Sequence, residues 1–488
     1  MSAIETVVDL GSFIAGSTEP LSDPMQEIHD PATQRVVGRV TVAGPDEVDR
    51  AVRAAHDAFA AWSMRAVAER GEIVGRAAHA IRAAVDELAP LLTAEQGKPL
   101  REARIELNKA AETLEHYAGL AKELRGAFVF GLDPGVSGQV LRRPLGVVGA
   151  IVPWNFPTTL LANKLGPALV AGNAVVAKPA DTTPLTTLRV AAIMHDAGLP
   201  AGVFNVVAGR GAVAGEALVT HPLVRKVAFT GSTPTGRHIM SLAAADNKRL
   251  TLELGGSDPM IVLEDADLGR AASAASMGRF FNCGQACLAI KRLYVAEPVA
   301  DQVVEALVQK ARRLTVGRGT APDVQLGPLH SERQRDALED QLRRTLERGG
   351  ELLTGGGRPD SGELNEGWFH EPTLVLEPPH DSPMGTEEVF GPALPIWRVR
   401  DLDQAIGYAN SSPFGLGSSV WTSDLNAAAE AAERLDCGYT WINSATKVYD
   451  ELPFGGVKAS GFGKEHGSEA FDYYTDQKTV VVRRRQRE

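Results

Sequence analysis

The sequence predicts an α/β protein in which two parallel-sheet domains lie side by side and a small β element stands apart from both. Three observations lead there. The chain has 488 residues, too many for one ordinary core, so two or three domains are expected. From about residue 145, apolar strand-like runs alternate with helical segments, the pattern of a parallel sheet of the nucleotide-binding kind. A second alternating series begins after residue 254 and runs to about residue 450.

Residues 46–124 are rich in Ala, Glu, Arg and Leu, and their apolar positions recur at helical spacing, as in Val48, Val52 and Ala55 or Ile73, Ala77 and Ile81. Several helices with few strands are expected there. In 128–142, Gly131, Pro134, Gly135 and Gly138 punctuate β-formers, which reads as a hairpin. Strands follow over 147–152, 174–177, 203–207 and 227–230, with helices over 183–196, 213–219 and 235–244 between them. The second series has strands over 260–263 and 288–295, a helix near 267–280 and another over 300–314. The tail over 479–483 is again β-prone. The resulting division is 1–124 with 145–253 as one domain, 254–456 as the second, and 125–144 with 470–488 as the separate β element.

Hydrophobic residues make up 44% of the chain and charged residues 23%, a soluble globular composition. A net charge of −11 disfavours nucleic acid and anionic membranes as partners. The run Arg483-Arg484-Arg485 is short and reads as a solvated or interface strand end. The first ten residues have neither a basic nor an apolar region, so no secretory signal is expected, and no stretch approaches the ~18 apolar residues of a spanning helix. Three cysteines in so long a chain point to a reducing compartment, and the cytoplasm is the expected location.

The residues that carry chemistry fall into separate stretches. In Phe281-Asn282-Cys283-Gly284-Gln285-Ala286-Cys287, the last cysteine is either a small buried hydrophobe or a nucleophile. Gly284 and Gln285 mark a turn whose N–H groups would favour a thiolate and later hold an oxyanion. Cys283 and Cys287 are spaced as a lone C-x3-C with no second pair, so no metal is expected, and Cys437 reads as structural. Glu253 closes the apolar run Leu250-Thr251-Leu252-Glu253-Leu254 before Gly255-Gly256. It is either an ion-pair partner or a desolvated carboxylate whose pKa rises toward that of a general base. Asn155, within Pro153-Trp154-Asn155-Phe156-Pro157, is an ordinary turn residue or an amide donor. Gly231-Ser232-Thr233-Pro234-Thr235-Gly236 follows a strand and opens a helix, as a phosphate-cradling turn does, although it lacks G-x-G-x-x-G. Lys178-Pro179-Ala180-Asp181 ends a strand, and Glu387-Glu388-Val389-Phe390-Gly391-Pro392 is an acidic turn before an apolar anchor.

These stretches, with Pro453-Phe454-Gly455-Gly456-Val457-Lys458-Ala459-Ser460-Gly461, stand in the order and spacing of the aldehyde dehydrogenase superfamily, which the chain resembles from about residue 20 to residue 482. The resemblance implies an aldehyde dehydrogenase-like fold with a Rossmann-like cofactor domain, a catalytic domain and a β element that builds a homodimer or homotetramer. It implies Cys287 as the nucleophile, Asn155 with the Cys287 N–H as the oxyanion hole, and Glu253 as the base that activates water on a thioester. It places the dinucleotide against Trp154, Lys178, Asp181, Gly211, Gly231, Ser232, Glu388 and Phe390. Asp181 stands where NAD-preferring members usually carry Glu; its charge favours NAD, and its shorter side chain leaves NADP possible. The aldehyde tunnel would include Phe156, Leu160, Asn163, Phe281, Val448, Tyr449 and Phe454. Succinic semialdehyde dehydrogenases carry arginines at two of these positions, here Asn163 and Phe281, so a distal carboxylate would be buried unpaired. The aromatics suit an aliphatic or aromatic aldehyde. Asp450 and Glu451 lie close in sequence to the tunnel mouth, where they could attract a cationic aminoaldehyde. Two other classes are a CoA-acylating semialdehyde dehydrogenase, which Glu253 opposes, and a catalytically silent relative, which should show erosion at Cys287, Glu253 or Asn155.

Overall fold

A computed structural model of the chain describes residues 7–360 and 362–484. The first six residues, Ser361 and residues 485–488 lie outside it, and with them the start of the first expected domain, Arg485 of the basic run and the end of the 470–488 element.

The first sheet has eight strands. Its parallel centre runs in the spatial order Arg249–Glu253, Val224–Thr230, Val147–Ile151, Ala174–Lys178, Phe204–Val206. Gly461–Phe462 closes one edge antiparallel to Arg249–Glu253, and the hairpin of Phe13–Ile14 and Ser17–Thr18 closes the other. The central strands are short and apolar because both their faces are covered. Val148, Ala150, Val175 and Ala177 enter one core, while Val147, Ile151, Ala174 and Val176 enter the core on the opposite face.

The second sheet has seven strands, in the order Glu351–Thr354, Thr373–Leu376, Ala393–Val399, Ile290–Ala296, Asp258–Val262, Gly417–Trp421, Tyr439–Ile442. All its pairings are parallel except the first. Two parallel sheets with helices on their faces make this an α/β fold, as expected.

Residues 45–119 form four helices, Pro45–Met64, Val67–Ala83, Val85–Gln96 and Leu100–Gly119. Among the elements that escape the sequence reading, two bear on the first half of the chain. One is the helix Pro157–Ala171, which is buried almost all round and therefore shows no amphipathic period. The other is a three-stranded sheet near the N-terminus, with Val36–Thr41 between Val8–Leu10 and Met25–His29. The hairpin Ala127–Asp133 and Val136–Pro144 does form, and Thr475–Arg483 pairs along its second strand from Thr475↔Pro144 to Arg483↔Val136. This sheet leaves Phe128, Val129, Phe130, Val481 and Val482 exposed. Among the described residues no helix is long and apolar enough to cross a membrane.

Candidate active site

The thiol is presented by an unusual turn. The helix Leu268–Phe280 stops, and Asn282, Cys283 and Gly284 follow with φ of 49°, 56° and 70°. Glycine is required at the third position, since a Cβ there would sit 2.3 Å from the Gly391 carbonyl oxygen. Buried polar groups hold the turn. Asn282 N–H donates to Glu102 Oε2 at 2.8 Å, and the Asn282 amide donates to the Asn155 carbonyl at 2.9 Å. The buried Arg279 donates to the Gly284 carbonyl at 2.6 Å, and His330 N–H donates to Gln285 Oε1 at 2.8 Å.

One expectation is corrected here. Gln285 N–H is spent on the Asn282 carbonyl at 3.0 Å, and the turn does not favour a thiolate. Burial pushes the Cys287 thiol up to about 12, Lys291 opposes the rise, and the carboxylates of Glu253, Asp258 and Glu388 add to it.

Asn155 is set against this turn from the other sheet, between the strand Val147–Ile151 and the helix Pro157–Ala171. Its side-chain amide donates to the Gln285 carbonyl at 3.0 Å, which leaves a second N–H on the same nitrogen. Its own carbonyl accepts from Lys98 Nζ at 2.7 Å. Lys98 is paired with Glu106, whose Oε1 accepts from Thr158 N–H and hydroxyl at 2.9 and 2.8 Å and so caps the helix.

Phe156 follows, with Lys98 Nζ 4.1 Å from its ring centroid. Its ring is parallel to that of Phe281, centroids 6.2 Å apart and planes within 5°. Leu160 is half-buried one turn further along the helix. Asn163 is buried, with its amide donating to Glu465 Oε2 at 3.1 Å. Val448 and Phe454 pack with Cys287 in one small apolar cluster that also holds Leu416 and Trp441. Tyr449 is exposed beneath the Lys447 ammonium.

Asp450 corrects another expectation. It is not free at the tunnel mouth: it is 3% exposed, accepts from Lys109 Nζ at 2.7 Å and from Thr113 at 3.0 Å, and meets His466 Nδ1 at 2.8 Å. Its charge is neutralised internally and cannot recruit a cationic aldehyde.

Glu253 ends its strand, registered between Thr230 and Gly461. Its Oε1 is buried without a partner, and burial with the neighbouring Glu465 charge holds the carboxyl well above the usual range, against Lys164 and Lys464. Lys164 and Glu465 went unread in the sequence. Lys164 Nζ lies 2.6 Å from both Glu465 Oε1 and Thr230 Oγ1, with both charged side chains buried. A lysine inside the apolar stretch from Leu160 to Ala171 was the available signal, because such a charge must have a partner.

The proposed dinucleotide residues come from both sheets: Trp154, Lys178, Asp181, Gly211, Gly231 and Ser232 lie at or after the C-terminal ends of first-sheet strands, and Glu388 and Phe390 precede the second-sheet strand Ala393–Val399. Ser232 caps the helix Thr233–Ala243, its hydroxyl accepting from Thr235 N–H, and Gly231 precedes it where a Cβ would meet the Phe229 ring at 2.5 Å. Lys178 is buried, and its Nζ donates to the Pro179 and Gly209 carbonyls at 2.6 and 3.0 Å; burial brings it down to about 8, opposed by Asp181. Asp181 is half-exposed and accepts from the Gln26 amide through its backbone carbonyl. Gly211 is exposed at the start of the single π turn Gly211–Gly215. Trp154 stacks on His330 at 4.5 Å and meets Phe390 edge-on at 5.6 Å. Glu388 Oε1 accepts from Gly256 N–H at 3.1 Å, and a Cβ on Gly255 would lie 2.5 Å from Oε2. A capped helix start with bare backbone before it, aromatic edges and a positioned carboxylate fit a dinucleotide.

The aldehyde dehydrogenase family profile matches residues 18–480, and the chain belongs to that family. It is an oxidoreductase that acts on aldehydes. It is 38% identical over 472 residues to the betaine aldehyde dehydrogenase of Bacillus subtilis, covering 96% of each chain. It is 40% identical over 470 residues to the phenylacetaldehyde dehydrogenase of Pseudomonas fluorescens, covering 94% of this chain and 93% of that one. Among solved structures, PnpE from Pseudomonas sp. WBC-3 superposes with a TM-score of 0.95 at 39% identity, covering 98% of both chains. PnpE in complex with nicotinamide adenine dinucleotide gives the same TM-score and identity over 97% of both chains.

Proposed function

We propose that this enzyme oxidises an apolar aldehyde, aliphatic or aromatic, to the carboxylic acid with NAD, through a thioester on Cys287. The observation that carries the reading is the convergence of three groups from separate elements. The thiol lies in an apolar cluster, the Asn155 amide with its spare N–H donates to the Gln285 carbonyl two residues before it, and the charge of the Glu253 carboxylate, whose Oε1 is unpartnered, acts on the thiol.

In this reading Cys287 Sγ loses its proton to bulk water, and the thiolate adds to the aldehyde carbon. The free Asn155 N–H and the Cys287 N–H hold the oxyanion, the kind of donor whose loss costs roughly 10²–10³ in rate. NAD, when bound, would supply the hydride acceptor for oxidation of that adduct to a thioester. Trp154, Gly211, Gly231, Ser232, Lys178 and Asp181 would hold the dinucleotide, with Glu388 and Phe390 at its nicotinamide end. Glu253 then takes a proton from water, the resulting hydroxide adds to the thioester carbon, and the C–S bond breaks. The Glu465 charge favours the protonated form of Glu253 and the Lys164 charge the ionised form, so the pair sets the pH at which it takes that proton. Sγ is reprotonated as the acid leaves.

The parallel rings of Phe156 and Phe281, with Val448 and Phe454, give the aldehyde an apolar wall. A distal carboxylate would have no arginine at Asn163 or Phe281. The relative named for phenylacetaldehyde supports an aromatic aldehyde, while relatives of similar identity are named for betaine aldehyde and succinate semialdehyde, and the NAD complex of PnpE supports the cofactor. Among the described residues, those up to 124 with 145–253 form the cofactor unit, 254–456 the catalytic unit, and 125–144 with the segment from 470 the separate β element. The exposed apolar residues of the hairpin sheet support a homodimer or homotetramer.

The test is a panel of aldehydes with NAD and NADP, followed by absorbance, on wild type, Cys287→Ala and Glu253→Gln. Cys287→Ala should lose turnover and keep NAD affinity within a few-fold. Glu253→Gln should keep a stoichiometric NADH burst while steady turnover falls. Substantial turnover in Cys287→Ala sinks the reading.

A further inference from the structure

Lys291 has no part in the mechanism above, yet it lies at its centre. It stands second in the strand Ile290–Ala296, and its side chain is fully buried. Its ammonium donates to the Cys287 carbonyl at 2.5 Å and to Glu388 Oε1 at 2.8 Å. The glycine pair after Glu253 makes room for both contacts. A Cβ on Gly256 would sit 2.7 Å from the Cys287 carbonyl oxygen, and one on Gly255 would sit 2.5 Å from Glu388 Oε2. One cation therefore joins the backbone of the thiol residue to the carboxylate assigned to the nicotinamide ribose. The charged groups that act on the thiol are Lys291 on one side and Glu253, Asp258 and Glu388 on the other.

A buried lysine that served stability alone would need no contact with the nucleophile's own peptide. We propose that Lys291 is a positioning residue of the catalytic centre: by bridging the Cys287 carbonyl and Glu388 it fixes the thiol loop against the nicotinamide end of the site and supplies the positive charge that offsets the carboxylates facing the thiol. The inference rests on the reading of Cys287 as the nucleophile and Glu388 as a cofactor ligand.

Two substitutions separate its parts because they act on the thiol in opposite directions. Lys291→Met removes the cation and leaves three carboxylates facing Sγ, so the thiolate becomes rarer. Glu388→Gln removes one opposing carboxylate and leaves the ammonium unpaired, so the thiolate becomes commoner. The experiment uses the full chain without cofactor. Iodoacetamide alkylation of Cys287 is followed by mass spectrometry of its peptide between about pH 7 and 10, where rate tracks the thiolate fraction. Lys291→Met should slow alkylation by about ten-fold, equivalent to one pKa unit, and Glu388→Gln should speed it. The double variant should fall between them. NAD affinity, read by Trp154 fluorescence, should weaken several-fold in both single variants.

Superposable alkylation profiles for wild type and Lys291→Met, or shifts of the same sign in both single variants, would overturn the proposal. Should Lys291→Met not fold, Lys291→Arg keeps the charge. It should then keep alkylation within a few-fold of wild type and weaken NAD binding; slowing like that expected of the methionine variant overturns the electrostatic role. Alkylation reads the thiol without turnover. Unshifted profiles with an inactive Cys287→Ala therefore remove only this inference, whereas an active Cys287→Ala removes the functional reading.

Discussion

Glu465→Gln removes one charge from the buried group of Glu253, Lys164 and Glu465 and should move the pH dependence of thioester hydrolysis to lower pH. Lys164 Nζ lies 2.6 Å from Glu465 Oε1 with both side chains almost wholly buried. At that separation and an effective dielectric of about 20, the gross attraction is roughly 6 kcal/mol, set against the desolvation of both ions. Removing one partner typically costs about 3–5 kcal/mol because the other charge is left uncompensated. In this site the unpaired Lys164 still has Glu253 beside it. Glu465 is the foremost charge raising Glu253, and Lys164 the foremost charge lowering it.

The sign follows from the form that works. In the proposed reaction Glu253 accepts a proton from water, which it does only when ionised, so deacylation should rise with pH through its pKa. Glu465→Gln lowers that pKa and shifts the acidic limb of kcat downward by about 1–2 pH units. Lys164→Met raises it and shifts the limb upward by a similar amount. The assay is the kcat profile of a substrate limited by deacylation, with the NADH burst measured alongside to show that acylation is retained. A general loss of packing would move both variants the same way. Shifts of equal sign, or an unmoved limb in two folded variants, would refute the assignment of this trio.

Asp181→Ser removes a charge that opposes a 2′-phosphate and should change the NAD/NADP ratio of kcat/KM by roughly one to two powers of ten, about 1–3 kcal/mol, without altering the burst. An unchanged ratio would direct attention to Lys178. Phe281→Ala opens the aromatic pair with Phe156 and should raise KM for an aromatic aldehyde by about 3–10-fold, about 0.5–1.5 kcal/mol, while acetaldehyde is little affected. Equal losses for both substrates would place Phe281 in loop support. Val481→Glu puts a charge on a residue 63% exposed on the hairpin sheet. Sedimentation should then show a smaller species than wild type at micromolar concentration, and an active wild-type monomer would contradict the interface.

The readings made from local signals survive to different extents. Strands expected over 174–177 and 260–263, and found as Ala174–Lys178 and Asp258–Val262, were legible because a four-residue apolar run next to turn residues has few other readings. The helix Pro157–Ala171 was not, since burial on every side removes the period by which a helix is recognised. Cys287, Asn155 and Glu253 were singled out as a thiol, an amide and a carboxylate in distinctive local settings, each with a structural alternative, and the roles proposed for them come from the family resemblance. Lys164, Glu465 and Lys98 act through partners remote in sequence, and nothing beside them in the chain announces those partners. Asp450 shows the converse failure: its neighbours Tyr449 and Glu451 are exposed, but Lys109 and His466 draw it inward.

The segment from Pro453 to Glu465 explains why a signature so late in the sequence bears on residues from the first sheet. Phe454 and Glu465 bridge to each other through paired N–H and carbonyl groups at 2.7 and 2.8 Å, closing a loop. Within that loop Ser460 Oγ donates to the Gly255 carbonyl at 2.7 Å, and its carbonyl accepts from Leu254 N–H at 3.0 Å. Gly461 pairs with Glu253 itself at a φ of 112°, where a Cβ would lie 1.9 Å from the Leu252 carbonyl oxygen. The loop thus delivers Phe454 to the thiol, Glu465 to Lys164 and a backbone edge to Glu253 in one fold of the chain. Glycine at 461 is what lets that edge approach closely enough to hold the carboxylate in register. The placement of Glu253 against Cys287 therefore depends on residues two hundred positions downstream as much as on its own strand.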